Sequence, residues 1–243
     1  MHRFFVPGDW IQGNNVTLTG EHARQILSVL RLKPPEHIIA LDNSGLEFEV
    51  EIENTARETV RGRIVRKDPG AGEPSTRITL YQALLKSDKF ELVLQKGVEL
   101  GVGAFVPFIS ERCVVGKPGE SKVKRWDKII REAAEQSGRA VLPPLRAALS
   151  FEDACKPSPN PAILLWEEEK QVRLHQALKS PPFQNARELN IFIGPEGGFP
   201  ASEVEYAKSL GIAIASLGAR VLRAETAGLA VISAVLYEKG ELV

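Results

Sequence analysis

The chain has 243 residues, 43% hydrophobic and 26% charged, which suits one large domain or a medium and a small one around ordinary apolar cores. Its 31 basic and 31 acidic residues cancel, so any nucleic-acid contact has to be local rather than driven by bulk charge. Two distant cysteines, Cys113 and Cys155, and the scattered His2, His22, His37 and His175 show neither disulfide nor metal-ligand spacing, so no metal is expected and the setting reads as a reducing cytoplasm.

Short strands are predicted first, at Asn15–Leu18, Ile38–Leu41, Glu47–Ile52 and Thr59–Val65, with one helix at Glu21–Val29. Glu47 to Ile52 alternates acidic and apolar residues, the pattern of a half-exposed strand. Between Thr55 and Lys67, five basic residues (Arg57, Arg61, Arg63, Arg66, Lys67) face the single acid Glu58. Asp68–Ser75, rich in Pro and Gly, reads as a linker after a small β-rich domain. From Thr76 strands and helices alternate: strand Ile78–Leu85, helix Lys89–Leu100, strand Ala104–Ile109, amphipathic helix Lys124–Arg139 and strand Ala162–Trp166. A short helix near Val172–Leu178, strand Leu189–Ile193, helix Ala201–Leu210, strand Ile212–Leu217 and helix Glu225–Lys239 complete the series. Such alternation predicts an α/β fold, an open, mostly parallel sheet with helices on both faces and ligands at the strand carboxyl ends.

The last helix carries two apolar faces, a small one (Ala224, Ala227, Gly228, Val231, Ala234) and a large one (Leu229, Ile232, Leu236). Burial on two sides is expected, the large face against a helix or a second subunit. Its apolar stretch is too short to span a bilayer, and the first residues lack the pattern of a signal peptide, so no membrane partner is expected.

Two strand ends carry the chemistry. Strand Leu189–Ile193 runs into Gly194-Pro195-Glu196-Gly197-Gly198, where glycines allow close backbone approach and free N–H groups can bind polar atoms. The spacing is neither a dinucleotide fingerprint nor a P-loop, and on these residues alone a plain tight turn is an open alternative. The second end runs from Ser216 through Gly218, Arg220 and Arg223 to Glu225 and Thr226, which open the last helix.

These two loops, with Lys96–Gly101, Ser110–Cys113, Glu132–Arg139 and the amino-terminal His22 and Val29–Arg31, resemble the signature of the RsmE-type 16S rRNA (uracil-N3) methyltransferases of the SPOUT class. The resemblance spans nearly the whole chain and departs at Ala224, where the family more often has Thr. It implies a PUA-like RNA-binding β-barrel over residues 1–70 and a trefoil-knotted SPOUT domain over 74–243. It further implies a homodimer, S-adenosylmethionine as methyl donor, and a uridine of 16S rRNA as substrate. A neutral chain with few aromatics is poorly built to seize free single strands, so the assembled 30S subunit or a late intermediate is the expected form of that substrate. Gly194, Glu196, Gly198, Leu217, Gly218, Leu222, Arg223 and Thr226 are the implied cofactor-binding residues. Arg220 and Arg223 are the candidates for holding negative charge on the uracil or a flanking phosphate, and Glu196 for orienting the cofactor or accepting a proton. Arg61 and Arg63 lie two apart on one strand and share a face; with Arg3, His22, Arg31, Lys33 and Arg139 they are the expected RNA contacts. The competing readings are a SPOUT ribose 2′-O-methyltransferase and a non-catalytic RNA-binding protein.

Overall fold

The structure, a computed structural model, describes residues 1–242, and of Ser87 the backbone alone. Two compact units emerge: Met1–Glu73 with Arg131–Leu142, and Pro74–Ile130 with the chain from Pro143 onward. Arg131–Leu142, expected with the second domain, therefore groups with the first unit.

In the first unit β1 (His2–Phe5), β2 (Ile11–Gln12) and β3 (Asn15–Thr19) precede helix α1 (Gly20–Arg24), and β4 (His37–Leu41), β5 (Leu46–Ala56) and β6 (Thr59–Pro69) follow it. The strands join in the order β1-β4-β5-β6-β3-β2, parallel between β1 and β4 and antiparallel elsewhere. β1 went unread because it does not alternate: Phe4 and Phe5 are both buried. On β5 the alternation holds, with Phe48, Val50 and Ile52 turned into a core shared with Val16, Leu18, Ile38 and Val60. β6 runs on to Pro69, past the expected end at Val65. β3 stops pairing at Arg63, so beyond it β6 has an open edge that tolerates a residue lacking an N–H. The expected helix Glu21–Val29 is regular only through Arg24. Gln25–Leu30 widens into a π-helical turn, closed by Arg31 at φ 56° and by the Leu32 N–H on the Ile26 carbonyl. That turn buries Ile26 and leaves Val29 exposed.

The second unit is built from β7 (Arg77–Ala83), α2 (Ser87–Glu99), β8 (Ala104–Ile109), the start of α3 (Glu120–Ser137), β9 (Leu149–Ser150), α4 (Phe151–Ala154) and β10 (Ala162–Leu165). There follow α5 (Leu174–Lys179), β11 (Glu188–Ile193), α6 (Ala201–Ser209), β12 (Ala213–Ala215) and α7 (Ala224–Glu238). All six strands are parallel, in the order β12-β10-β11-β7-β8-β9. Leu189 to Ile193 are buried in unbroken succession, as a strand covered on both faces requires. β12 is shorter than the expected Ile212–Leu217. It pairs only with β10, and the Ser216 N–H leaves the ladder for the Val172 carbonyl. α7 packs on α2, α5, β7 and β11. Its small face permits close approach: a Cβ at Gly228 would lie 3.3 Å from Gln82 Oε1 and 3.7 Å from Ile193 Cγ1. Ile232 and Leu236 of the large face are buried as well.

The end of α3 overturns one expectation. Gly138 takes φ +80° and the Arg139 N–H reaches back to the Ala134 carbonyl at 3.0 Å, a Schellman turn. The turn carries Arg139 off the outer row of the helix and buries it to 3% exposure, so it is a structural residue and not an RNA contact. Its Nη2 and Nε donate to the two Glu73 oxygens at 2.6 and 3.2 Å. Glu73 Oε1 also accepts from the N–H groups of Ala140 and Val141.

Glu73→Ala removes the carboxylate from beside this buried guanidinium and from two backbone donors. Because the Glu73 side chain is 28% exposed, the cost should fall below that of a fully buried pair, roughly 2–3 kcal/mol. It would be read as a lowered urea midpoint at unchanged slope. An unmoved midpoint would show that the pair does not hold this segment.

Candidate active site

Parallel register sets Leu165 of β10 beside Ile193 of β11 on one side and Ala215 of β12 on the other. The three strands therefore end level, and the loops that leave them enclose a cavity of about 330 Å³, at the small end of the roughly 300–1,000 Å³ typical of small-molecule sites. Gly194, Glu196, Gly198, Leu217, Gly218, Arg220, Leu222 and Arg223 line it, as expected from their loops. Thr226 is not among the lining residues: it is exposed in the first turn of α7, its N–H bonded to the Arg223 carbonyl at 2.9 Å. Sequence reasoning missed Lys89, Trp166 and Glu167, which also line the cavity. Their signal was positional, since Trp166 and Glu167 follow the end of β10, and Lys89 opens α2 just beyond β7.

The walls divide by chemistry. Leu165, Ile193, Leu217 and Leu222 give an apolar surface. Gly198 holds φ +67°, and a Cβ there would overlap Glu167 Oε1, so the carboxylate packs directly on the glycine backbone. Gly218, at φ +108°, has open space where a side chain would project. The indole Nε1 of Trp166 is buried with no hydrogen-bond partner among the described residues. Arg220 and Arg223 are exposed, and neither guanidinium has a partner among the described residues. Lys89 Nζ lies 3.4 Å from Glu196 Oε1 and 3.6 Å from Glu225 Oε2.

In the first unit the expected RNA contacts separate. Arg3 is ion-paired to Glu47. His22 places Nε2 3.0 Å from the Phe5 carbonyl, so its ring N–H donates there, and the same carbonyl accepts from Arg131 at 3.0 Å. Burial first, and then the charge of Arg131, lowers the His22 pKa against the opposing pull of the Phe5 carbonyl. The ring is thus engaged by its own fold. Antiparallel pairing sets Glu51 of β5 opposite Arg63, which bonds Glu53 at 3.0 Å, and Arg66 pairs with Glu49 and Asp68. Two of the five cations counted along the basic stretch of the sequence, Arg63 and Arg66, are thus paired with glutamates of β5. Arg31, Lys33 and Arg61 are exposed, and their charged groups have no partner among the described residues.

The glycine loop and the segment beside it are each held by a side chain of the second unit. Arg112 donates to the Gly197 carbonyl at 3.0 Å, while Glu203, in the first turn of α6, accepts from the Ser110 hydroxyl at 2.7 Å and the Glu111 N–H at 2.9 Å. Burial raises the Glu203 pKa above the usual carboxylate range, against the lowering by those two donors. A raised folded-state value means that Glu203 contributes most to stability below the ordinary carboxylate range and loses that contribution as pH rises through the folded value. The stability of the wild type relative to Glu203→Gln should therefore increase on acidification, measured by urea unfolding at a series of pH values. A difference independent of pH would contradict the burial of an ionisable group here.

Residues 72–236 match the RNA methyltransferase domain family. The chain is 32% identical over 230 residues to the ribosomal RNA small subunit methyltransferase E of Bacillus subtilis, covering 91% of this chain and 90% of that protein. It is 33% identical to the protein of the same name from Synechocystis, over 97% of this chain and 78% of the relative. Among solved structures, the Neisseria gonorrhoeae ribosomal RNA small subunit methyltransferase E bound to S-adenosyl methionine superposes with a TM-score of 0.87 at 32% identity, covering 98% of this chain and 97% of that one. A Legionella pneumophila methyltransferase structure with bound cofactor follows at 30% identity and TM-score 0.80, over 97% and 96% of the two chains. The chain belongs to the RNA methyltransferase domain family, among the ribosomal RNA small subunit methyltransferase E proteins.

Proposed function

We propose that the protein transfers the methyl group of S-adenosylmethionine to N3 of a uridine in 16S ribosomal RNA, with the assembled 30S subunit as substrate, in the cytoplasm. The observation that carries the reading is the cavity at three level strand ends, walled by glycine backbone and apolar side chains, with two arginines at its rim that have no partner among the described residues. These residues fit the methyl donor. Leu165, Leu217 and Leu222 suit an adenine ring, and the glycines at 194, 198 and 218 bring main-chain donors and acceptors within reach of ribose and base. Glu167 supplies a carboxylate compatible with hydroxyls and with positive charge. The donor supplies a methyl group already activated by a positive sulfur. What remains for the protein is alignment, exclusion of water and management of the N3 proton and the charge it leaves behind.

Arg220 and Arg223 are assigned to the phosphate backbone or to negative charge developing on the base, because a guanidinium is permanently charged and presents its donors in a fixed fork. Residues 1–70 are read as a PUA-like barrel that binds RNA, supported by the antiparallel β5-β6-β3 core and the exposed cations Arg31, Lys33 and Arg61. Residues 74–243 are read as the trefoil-knotted SPOUT domain, supported by the parallel sheet and by a final helix buried on two sides. A homodimer is part of the same reading. The exposed apolar residues Val221 and Tyr237, at the start and end of the α7 region, support it.

Labelled S-adenosylmethionine and unmodified 30S subunits, followed by digestion to nucleosides, should yield 3-methyluridine. Label in a ribose-methylated nucleoside would replace this reading by 2′-O-methylation, and absence of both transfer and cofactor binding would leave an RNA-binding protein. Arg223→Ala should keep its fold by circular dichroism and lose turnover by about 100-fold or more; near-wild-type turnover would remove Arg223 from the site.

A further inference from the structure

Glu196 and Lys89 place an acceptor and a donor side by side in the cavity wall, Oε1 and Nζ 3.4 Å apart. The Watson–Crick edge of uracil presents the complementary arrangement, an N3–H donor next to a carbonyl acceptor. Cytosine inverts both elements, with a bare acceptor at N3 and an amino donor beside it. Building on the methyl-transfer reading above, we propose that Glu196 and Lys89 together read the imide edge of the target base. Glu196 takes the N3 proton and Lys89 donates to the adjacent carbonyl oxygen, while Glu225 is a positioning residue that fixes Lys89 from behind.

The geometry around Lys89 supports this division of roles. Its side chain is 24% exposed and reaches the cavity from the first turn of α2. Glu225, from the first turn of α7, is only 13% exposed and approaches Nζ to 3.6 Å. That is an ion pair rather than a hydrogen bond, and Glu225 Oε2 is buried with no hydrogen-bond partner among the described residues. Glu225 thus holds the ammonium by charge and leaves its N–H groups available to a base. Two carboxylates around one ammonium also keep the cluster from being net positive, so Lys89 does not repel a cationic methyl donor. Arg220 and Arg223, exposed and without a partner among the described residues, suit the phosphate side of a nucleotide, which leaves the ammonium in the cavity for the base.

The chemical step then balances. The N3–H bond breaks and its proton passes to the Glu196 carboxylate, while negative charge spreads to the carbonyl oxygen facing Lys89. The N3 electron pair forms the bond to the methyl carbon as that carbon's bond to the positive sulfur breaks, its electrons remaining on sulfur. One carboxylate charge and one sulfonium charge disappear together, and Glu196, 26% exposed, returns its proton to water.

The test combines the 30S assay with separate calorimetry of S-adenosylmethionine binding. Glu196→Gln and Lys89→Ala should bind the methyl donor within about threefold of wild type yet turn over about 100-fold more slowly. Added ethylamine should restore part of the activity of Lys89→Ala and none of that of Glu196→Gln. Glu225→Gln should lower kcat by about tenfold at unchanged KM, with Glu225→Asp recovering most of the loss. Turnover within about fivefold of wild type in both cavity variants, or loss of donor binding in parallel with turnover, would overturn this proposal alone. A wild-type protein that transfers no label would overturn the methyl-transfer reading and this proposal with it.

Discussion

The parallel hydrogen-bond register of β12, β10 and β11 is the constraint on which the site depends. Pairing Leu165 with both Ile193 and Ala215 makes three strands stop at one level, and everything that lines the cavity hangs from that level. Slipping any of these strands by one residue would turn buried side chains to the opposite face and shift a loop along the strand axis. Unbroken burial from Leu189 to Ile193 resists such a slip, because each of these five side chains is packed on the face it occupies. Precision at the site is therefore inherited from apolar packing at a distance from it.

A second constraint fixes the other side. α7 starts at the cavity, and its glycine at 228 lets the helix settle against Gln82 and Ile193. Since Ile193 ends β11 and Gln82 lies near the end of β7, the helix start is tied to the same strand-end level as the loops. Arg223 and Glu225 take their places from that contact, while Arg112 and Glu203 brace the glycine loop and its neighbour. A bulkier residue at 228 would push α7 outward and carry the charged residues of its first turn away from Lys89 without touching any of them.

Much of this was legible in the sequence, and the gaps have physical causes. Most strands and helices of the second unit followed from periodicity, whereas β9, with two residues, and α4, with four, were too short to show a period and went unread. The glycine and arginine loops were found through their position at strand ends and through the resemblance, and eight of the expected residues do line the cavity. Thr226 failed because a helix start exposes some residues of its first turn while others face the site, and spacing alone does not say which. Arg139 failed because the Gly138 turn rotates it out of the helical row. Lys89, Trp166 and Glu167 were passed over because each stands beside a strand end without a glycine to mark it. β1 and β2 were too short to carry a pattern.

The charge reading of the first unit shows why a count along the chain misleads for β-structure. Arg63 and Arg66 stand in a basic run when read in order, but their neighbours in space are the alternating glutamates of β5, brought opposite by antiparallel pairing. The same alternation that drives Phe48, Val50 and Ile52 into the core forces Glu47, Glu49, Glu51 and Glu53 outward beside the arginines. A half-exposed strand of this composition thus cancels its neighbour's charge as a consequence of folding. Arg31, Lys33 and Arg61, whose charged groups have no partner among the described residues, come from a helix-closing turn, the loop after it and one strand position next to neutral partners, Thr17 and Asn54. An anionic surface would meet these few charges rather than a basic face, which is how a chain of zero net charge can engage a phosphate backbone at chosen points.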